Sequence, residues 1–321
     1  MIIGIGLKIL STIAFTVMSA LIRAEAGAAP LGEVVFFRSL PALAVLILWL
    51  HSRGEFPRAI ATKRPFGHIL RGLIGSGGMF FNFAALALLP LPDATAISFA
   101  APLVGVALAA WVLREKVYIY RWSAVIIGFF GVLVMLQDQF GAAVSAGPAR
   151  FWGSAFALTA AVCAAAAMTQ TRRLTQTEQT GAIVFYFSLL TTVLSALTWF
   201  LPLLWPALGE IGTFMAAQRW VWPGWNGFFV LVMVGVIGGI AQIVMTESYR
   251  HADASVVAAF DYTSMIWATL IGYFAFGDLP THSVIIGALI VAASGIFVLV
   301  REHQLGLLRL ASRRAGPERP I

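Results

Sequence analysis

The sequence predicts an all-α integral membrane protein with ten transmembrane helices, arranged as two inverted-topology repeats of five helices. Three observations predict this fold class. The composition is 60% hydrophobic and 11% charged with a mean hydropathy of +0.89, whereas soluble domains carry about 25% charged residues. The 321 residues divide into ten apolar runs. The second five runs repeat glycine and polar positions of the first five.

The ten runs are mostly continuous rather than striped, as expected for helices that face lipid or lie inside a bundle. Each approaches the roughly 20 residues that a helix needs to cross a bilayer. The first run resembles a signal peptide, but it completes the first five-helix unit, and we predict an uncleaved span. The runs lie at residues 5–22, 34–50, 69–88, 94–112, 120–136, 152–169, 181–200, 226–246, 254–276 and 283–300.

The basic residues between the runs predict the orientation, because Lys and Arg favour cytoplasmic loops. With the N-terminus inside, 17 of the 21 basic residues lie on the inner side. Three lie outside, and Arg38 lies within the second run. Both termini are therefore predicted to be cytoplasmic. The predicted units are a first repeat at 1–138, an inverted second repeat at 150–300 and a basic cytoplasmic tail at 301–321.

The internal repeat is carried by glycines and polar residues rather than by the apolar background. Each unit holds five spans, and an odd number turns the second unit upside down in the membrane. Inverted repeats of this kind commonly build transporters with a site near the bilayer midplane. The matching positions are Gly75 and Gly78 with Gly235 and Gly238, Asn82 with Gln242, Asp93-Ala-Thr95 with Asp253-Ala-Ser255, and Phe36-Phe-Arg-Ser39 with Phe185-Tyr-Phe-Ser188.

The glycines of the third and eighth runs are predicted to let helix backbones approach closely, as small residues do inside membrane bundles. If the two halves rock against each other, helices would slide or bend at the same positions. The residues are Gly72, Gly75, Gly77, Gly78, Gly235, Gly238 and Gly239.

Asp261 is the first candidate functional residue, because it lies several positions inside the ninth run. An ionisable side chain at membrane depth costs about 2.5 kcal/mol or more and by default marks a functional site. It would take up a coupling proton or bind a substrate amine; the alternative is a structural pair with Arg38 or a backbone group. Arg38 would hold a substrate carboxylate with two hydrogen bonds, extend to the outer interface, or pair with Glu33.

Four further residues are predicted to line the same cavity. Asn82 and Gln242 occupy equivalent positions in the two halves, and they would either contact the solute or make cross-helix hydrogen bonds. Trp267 and the nearby Tyr262 would stack on a planar or cationic ligand. Ordinary packing in the bundle is the alternative for Trp267.

Several function classes are disfavoured by what the sequence lacks. Cys163 is the only cysteine, which excludes intramolecular disulfides and CxxC metal sites. The five histidines lie in loops or at run ends on both sides of the membrane, so a membrane-embedded enzyme is disfavoured. The basic residues form no single patch, so nucleic acid is not a predicted partner. No cofactor or metal is predicted.

With these residues in place, the chain resembles an EamA-type member of the drug/metabolite transporter superfamily over residues 5–300. The resemblance rests on Arg38, on the acidic run ends Glu115 and Asp278, and above all on the segment 260–280, from Phe-Asp-Tyr to Asp-Leu-Pro. It implies ten helices, two inverted repeats, a central cavity and movement of amino acids, drugs or other metabolites. The first half lacks the glycine or proline flanks found in relatives, and Asp278 stands where they often have Glu.

The sequence therefore predicts a secondary transporter that moves a small polar or aromatic metabolite, an amino acid or a related compound, by alternating access. A carrier of riboflavin or S-adenosylmethionine with the same fold is the alternative, and an embedded enzyme or a sensor is the alternative of another class. Compact loops and the lack of an Asn-x-Ser/Thr sequon favour a bacterial inner membrane. The expected partners are the lipid bilayer and a small solute, with the protein a monomer or a homodimer.

Overall fold

The computed structural model describes residues 2–25, 29–112, 119–141, 147–174, 177–200, 219–251 and 260–314. Over these ranges the chain forms eleven α-helices and no β-strand. The helices are α1 Ile2–Ala24, α2 Leu31–Ser52, α3 Pro65–Leu88, α4 Leu91–Ser98, α5 Ala100–Val112, α6 Ile119–Gly141, α7 Gly147–Leu174, α8 Thr180–Leu197, α9 Gly224–His251, α10 Thr263–Phe276 and α11 His282–Arg314.

Six of the described helices, α1, α2, α3, α7, α8 and α9, contain stretches long and apolar enough to cross a membrane. Shorter apolar helices lie at Trp122–Met135, Thr263–Phe276 and His282–Phe297. Large apolar side chains point outward from the bundle: Phe274 is 81% exposed and Leu48 is 69% exposed. A contiguous surface of this kind is stable against lipid rather than water.

The fourth apolar run, predicted as one span at 94–112, is two helices separated at Phe99. α4 ends one residue before Phe99 and α5 begins one residue after it. Pro102 explains the break, because proline has no N–H to donate to the carbonyl of Ser98, four residues earlier. The Phe99 N–H instead bonds to the Ala96 carbonyl, three residues back, at 3.1 Å.

The ninth run and the tail also differ from the predicted boundaries. Within the run predicted at 254–276, the 3-10 turn Phe260–Tyr262 precedes α10, and residues 252–259 lie outside the described part. The tail predicted at 301–321 begins as a continuation of α11, which stays helical through Arg314. The apolar run ends earlier than the helix because hydropathy marks the membrane span and not the end of the backbone hydrogen bonding.

Helices of the first half pack mainly against helices of the second half. α3 lies against α7 and α8, α1 against α9 and α10, α2 against α8 and α9, and α6 against α11. One buried apolar cluster draws on both halves, with Val35 and Leu91 from the first and Val234 and Val291 from the second. The two halves therefore share one core.

Glycines stand where these helices approach most closely. A Cβ on Gly78 would lie 2.9 Å from the Cβ of Cys163, and one on Gly239 would lie 3.0 Å from the Cα of Ala42. The packing role predicted for these glycines is confirmed at both positions. Gly77 differs, because nothing lies within 4 Å of its missing Cβ.

Candidate functional site

A small cleft lies where α2, α8 and α9 meet. Two of the predicted site residues, Arg38 and Gln242, line it together with Gly239, Phe187 and Ser188. The space inside is about 10 Å³, about the room of one water molecule. The cleft therefore leaves little free space beside Arg38 and Gln242.

The Arg38 side chain is buried in the cleft, with only 7% of the residue exposed. Its Nε has no hydrogen-bond partner among the described residues. A Cβ on Gly238 would lie 3.2 Å from the Arg38 Cζ, so glycine leaves the room that the guanidinium occupies. No ion pair between Arg38 and Glu33 occurs among the described residues, and the Glu33 carboxylate accepts a hydrogen bond from the Val221 N–H at 3.3 Å. The substrate-binding role of Arg38 stays a prediction.

A second arginine, Arg71, lies against the ring of Phe187. The Arg71 Cζ is 4.0 Å from the centre of the Phe187 ring, the geometry of a cation–π contact. Its Nε donates to the Thr171 hydroxyl at 3.2 Å, and its buried Nη1 has no hydrogen-bond partner among the described residues. The sequence-based count assigned Arg71 to an inner loop, whereas it lies six residues inside α3.

Asp261 pairs with Lys8 and not with Arg38. The Lys8 Nζ lies 2.6 Å from the Asp261 carboxylate, and the two side chains are 2% and 50% exposed. Next to this pair, the hydroxyls of Thr12 and Thr263 lie 3.2 Å apart. The start of α10 is thus fixed to α1 by one ion pair and one hydrogen bond.

The other end of the same helix pair carries another ion pair, between Arg23 of α1 and Asp278 after α10. An αL C-cap places Asp278: the Gly277 N–H bonds to the Tyr273 carbonyl, four residues back, and the Asp278 N–H bonds to the Gly272 carbonyl, each at 3.0 Å. Gly277 has φ +69°, a conformation in which glycine is favoured. α1 and α10 are therefore joined by ion pairs at both ends.

The remaining predicted residues lie apart from the cleft lining. Trp267 lies on α10 with its Nε1 buried and without a hydrogen-bond partner among the described residues. Asn82 lies half-buried on α3 and is not among the residues that line the cleft. Tyr262 belongs to the 3-10 turn before α10, and its side chain lies outside the described part of the structure.

Sequence reasoning missed Lys8, Arg71 and Phe187. In the sequence analysis Lys8 was used only in the count of basic residues that predicts orientation. Its burial depends on Asp261, a partner far along the chain. Phe187 carried a signal, because the repeat aligns it with Arg38. The two aligned positions line one cleft.

At the end of the bundle where α3 begins, Glu178 connects the loop after α7 to the start of α3. It accepts a hydrogen bond from the Lys63 N–H at 2.9 Å, and His68 Nε2 lies 3.6 Å from its other oxygen. Burial raises the pKa of the Glu178 carboxyl, but the hydrogen bonds from Lys63 and Thr62 and the electrostatic attraction of His68 outweigh it, so the pKa lies below its usual range. Over the described residues no group of three or more acidic, histidine or cysteine side chains is arranged to hold a metal.

The apolar bundle with a polar cleft between its two halves defines a multi-pass membrane protein with the general form of a solute carrier. The EamA-like transporter family matches residues 2–137 and again residues 151–301. The chain belongs to this family.

Curated relatives cover most of this chain at low identity. An S-adenosylmethionine uptake transporter of Rickettsia prowazekii is 27% identical over 85% of this chain and 84% of its own. The pseudopaline exporter CntI of Pseudomonas aeruginosa is 25% identical over 91% and 94%. A riboflavin transporter of Vibrio cholerae is 26% identical over 80% and 78%. One solved crystal structure covers 92% of this chain and 95% of its own with a TM-score of 0.63 at 22% identity, a likeness of fold alone.

Proposed function

We propose that this protein is a secondary transporter of the bacterial inner membrane. It moves a small polar or aromatic metabolite, an amino acid or a related compound, by alternating access between two inverted repeats of five helices. The observation that carries the proposal is the cleft between α2, α8 and α9, which is lined by the buried Arg38 and the half-buried Gln242. Polar side chains kept at membrane depth mark substrate pathways.

The helix contacts support the inverted repeat. In the proposed repeat, α1, α2 and α3 correspond to α7, α8 and α9. The contact of α3 with α7 then corresponds to the contact of α9 with α1, and the contact of α2 with α9 corresponds to that of α8 with α3. All four contacts occur. An ion pair joins the corresponding helices in each half, although the paired residues are not equivalent positions of the repeat: Lys8 of α1 pairs with Asp261 before α10, and Arg150 of α7 pairs with Asp93 of α4. The two separate family matches, one per half, agree with this arrangement.

The solute is proposed by class only. The relatives named above carry S-adenosylmethionine, pseudopaline and riboflavin, and they include both an uptake protein and an exporter. Their names therefore assign neither a substrate nor a direction to this chain. Amino acids and S-adenosylmethionine share a carboxylate that Arg38 would bind, whereas riboflavin has none.

In the proposed mechanism, the two ion pairs along α1 and α10 act as alternate closures. Separation of Arg23 from Asp278 would open the outer side, and separation of Lys8 from Asp261 would open the inner side. Because both pairs are closed and the cleft has room for about one water, the structure corresponds to an occluded state in this scheme. The solute would enter when one pair opens and leave when the other does.

Coupling to protons is assigned to Asp261 in this proposal. Half of the Asp261 side chain is exposed, so a proton can reach it from solution. Protonation would remove the charge that holds Lys8 and favour the inward-open state. An imposed pH gradient is then expected to change flux through the wild-type protein, and Asp261→Asn is expected to remove that response. If Asp261→Asn kept the response, Asp261 would have no coupling role.

The function is tested by flux into proteoliposomes of the purified full-length protein. The panel contains amino acids, S-adenosylmethionine, riboflavin, nucleosides and sugars. Saturable flux of one class is expected, and Arg38→Gln is expected to abolish it while the exposed Arg58→Gln leaves it unchanged. If folded protein moves none of these solutes faster than empty liposomes do, transport of this class is excluded.

A further inference from the structure

Arg38, which is buried, and Arg71, which is half-buried, both lie near Phe187, and neither has an acidic partner among the described residues. Arg38 lines the cleft with Phe187, and Arg71 lies over the face of that ring. The ion pairs of the described residues engage Lys8, Arg23, Arg53, His68 and Arg150, and neither of these two arginines.

The cost of such an arrangement points to a missing anion. A buried charge without a partner destabilises a protein by several kcal/mol, and at membrane depth an ionisable side chain is costly even near other polar groups. Each guanidinium also leaves a buried nitrogen without an acceptor, Nε of Arg38 and Nη1 of Arg71. A bound group that brings negative charge and oxygen acceptors would satisfy each arginine that it reaches.

We propose that Arg71 is a second cationic contact for the transported solute and that the solute carries a carboxylate. This inference rests on the proposed transport function and narrows its substrate class. Arg38 was a candidate from the sequence, whereas Arg71 is assigned here from its place beside Phe187.

Arg71 is already oriented for this role. The Thr171 hydroxyl holds its Nε at 3.2 Å, and the Phe187 ring supports the guanidinium plane at 4.0 Å. Gly75 leaves the space, because a Cβ there would lie 3.0 Å from Nη1 and 2.8 Å from the Phe187 ring. With two of its faces fixed, the guanidinium loses little freedom when Nη1 binds an oxygen.

The two arginines lie toward opposite ends of the bundle, which suits a pathway rather than a single pocket. Arg38 is seven residues from the start of α2, and Arg71 is six residues from the start of α3. In the proposed topology α2 starts outside and α3 starts inside. A carboxylate would therefore contact one arginine near each side and pass Phe187 between them.

The test is thermal unfolding of the purified full-length protein in detergent, with matched pairs of probes. Each pair differs only by a carboxylate against a carboxamide: L-phenylalanine and its amide, L-methionine and its amide, and 3-phenylpropanoate and its amide. At least one carboxylate is expected to raise the Tm in a saturable way, and its amide is not. Arg71→Gln and Arg38→Gln are expected to weaken the apparent affinity about tenfold or more, and Arg58→Gln is expected to leave it unchanged.

Arg71→Lys keeps the charge and replaces Arg71→Gln if the latter does not fold; it is expected to retain carboxylate preference at reduced affinity. Equal stabilisation by acids and amides, no stabilisation by any acid, or a folded Arg71 variant with unchanged affinity would overturn the proposal. The binding assay and the flux assay distinguish failure of this inference from failure of the proposed transport function. Carboxylate binding without flux would refute transport alone, and flux confined to solutes without a carboxylate would refute the second arginine contact alone.

Discussion

Lys8 and Asp261 are close partners with unequal surroundings, since Lys8 is almost fully buried and Asp261 is half exposed. When one member of a buried pair is removed, the destabilisation comes mainly from the charge left behind. Removing Asp261 takes away the carboxylate that lies against the buried ammonium of Lys8. Removing Lys8 strands a carboxylate that water already reaches.

The first prediction follows from this asymmetry. Asp261→Asn is expected to lower the free energy of unfolding by about 3–5 kcal/mol, whereas Lys8→Met is expected to cost about 1 kcal/mol or less. Thermal unfolding of the purified variants measures which of the two substitutions lowers the stability more. The double variant should recover most of the loss seen in Asp261→Asn, and a double variant less stable than that single one would contradict the argument.

The second prediction concerns pH and Glu178. Because the folded pKa of Glu178 is lowered, its hydrogen bonds stabilise the protein above the unfolded pKa of about 4.3. That stability is lost as the pH falls through the folded pKa. The Tm difference between the wild type and Glu178→Gln should therefore be largest near pH 7 and shrink toward pH 3. The exposed Glu55→Gln serves as control and should show a small difference that does not vary with pH.

At the level of single residues, the sequence predicted candidate site residues more successfully than it predicted which residues contact each other. Arg38 and Gln242 were predicted to share a cavity and line one cleft. The partner of Asp261 was not predicted, because a lysine near the N-terminus reads as an ordinary cytoplasmic charge until the contact of α1 with α10 is known. Arg71 was not predicted as a site residue, because it follows a basic loop and was counted with the charges of that loop.

At the level of elements, close helix packing makes a third prediction. A Cβ on Gly131 of α6 would lie 2.9 Å from the backbone carbonyl oxygen of Gly287 in α11. A backbone atom cannot move aside as a flexible side chain does, so Gly131→Ala should cost about 1–3 kcal/mol of stability.

Gly77→Ala is the matched control for this prediction, because Gly77 is also a helix glycine and nothing lies within 4 Å of its missing Cβ. It should leave the Tm unchanged or raise it slightly, since alanine favours helix over glycine by about 1 kcal/mol. Equal losses in the two variants would show that helix propensity, and not the contact of α6 with α11, sets the effect.

The run at 94–112 shows how far hydropathy predicts an element. Its apolar length predicted one span, and the break at Phe99 does not alter the hydropathy at all. The information was in Pro102, four residues after Ser98, which removes one backbone hydrogen bond. Hydropathy identifies membrane segments because lipid favours apolar side chains, but it carries no information about breaks in the backbone hydrogen bonding within a segment.

At the level of the whole molecule, the proposed topology makes a fourth prediction. Cys163 is the only cysteine, so a Cys163→Ala background permits single reporter cysteines. Glu55→Cys, between α2 and α3, is expected to lie inside, and Arg219→Cys, before α9, is expected to lie outside; both positions are exposed. A membrane-impermeant maleimide should label Arg219→Cys in intact cells and Glu55→Cys only after permeabilisation. Labelling of both from the same side would refute the inverted arrangement.

The general architecture was accessible from the sequence because a bilayer limits a chain to a few solutions. Backbone groups in lipid must be satisfied within each segment, so apolar length predicts helices, and the charge of the loops predicts orientation. The pairing of α3 with α7 and of α1 with α9 was not predicted, since it depends on side-chain shape across two distant segments. The cleft depends on that pairing and was unpredictable for the same reason.

The ion pair of Lys8 with Asp261 sets a condition on biosynthesis. About 250 residues separate the two, so at roughly 5–20 residues per second the ribosome completes α1 on the order of tens of seconds before Asp261 emerges. During that interval Lys8 has no carboxylate and its long side chain must reach the headgroup region. In nascent chains that stop before residue 261, the Lys8 side chain of α1 would stay without the Asp261 carboxylate. A charged side chain of this kind in the membrane is a feature by which membrane quality control would recognise an incomplete protein.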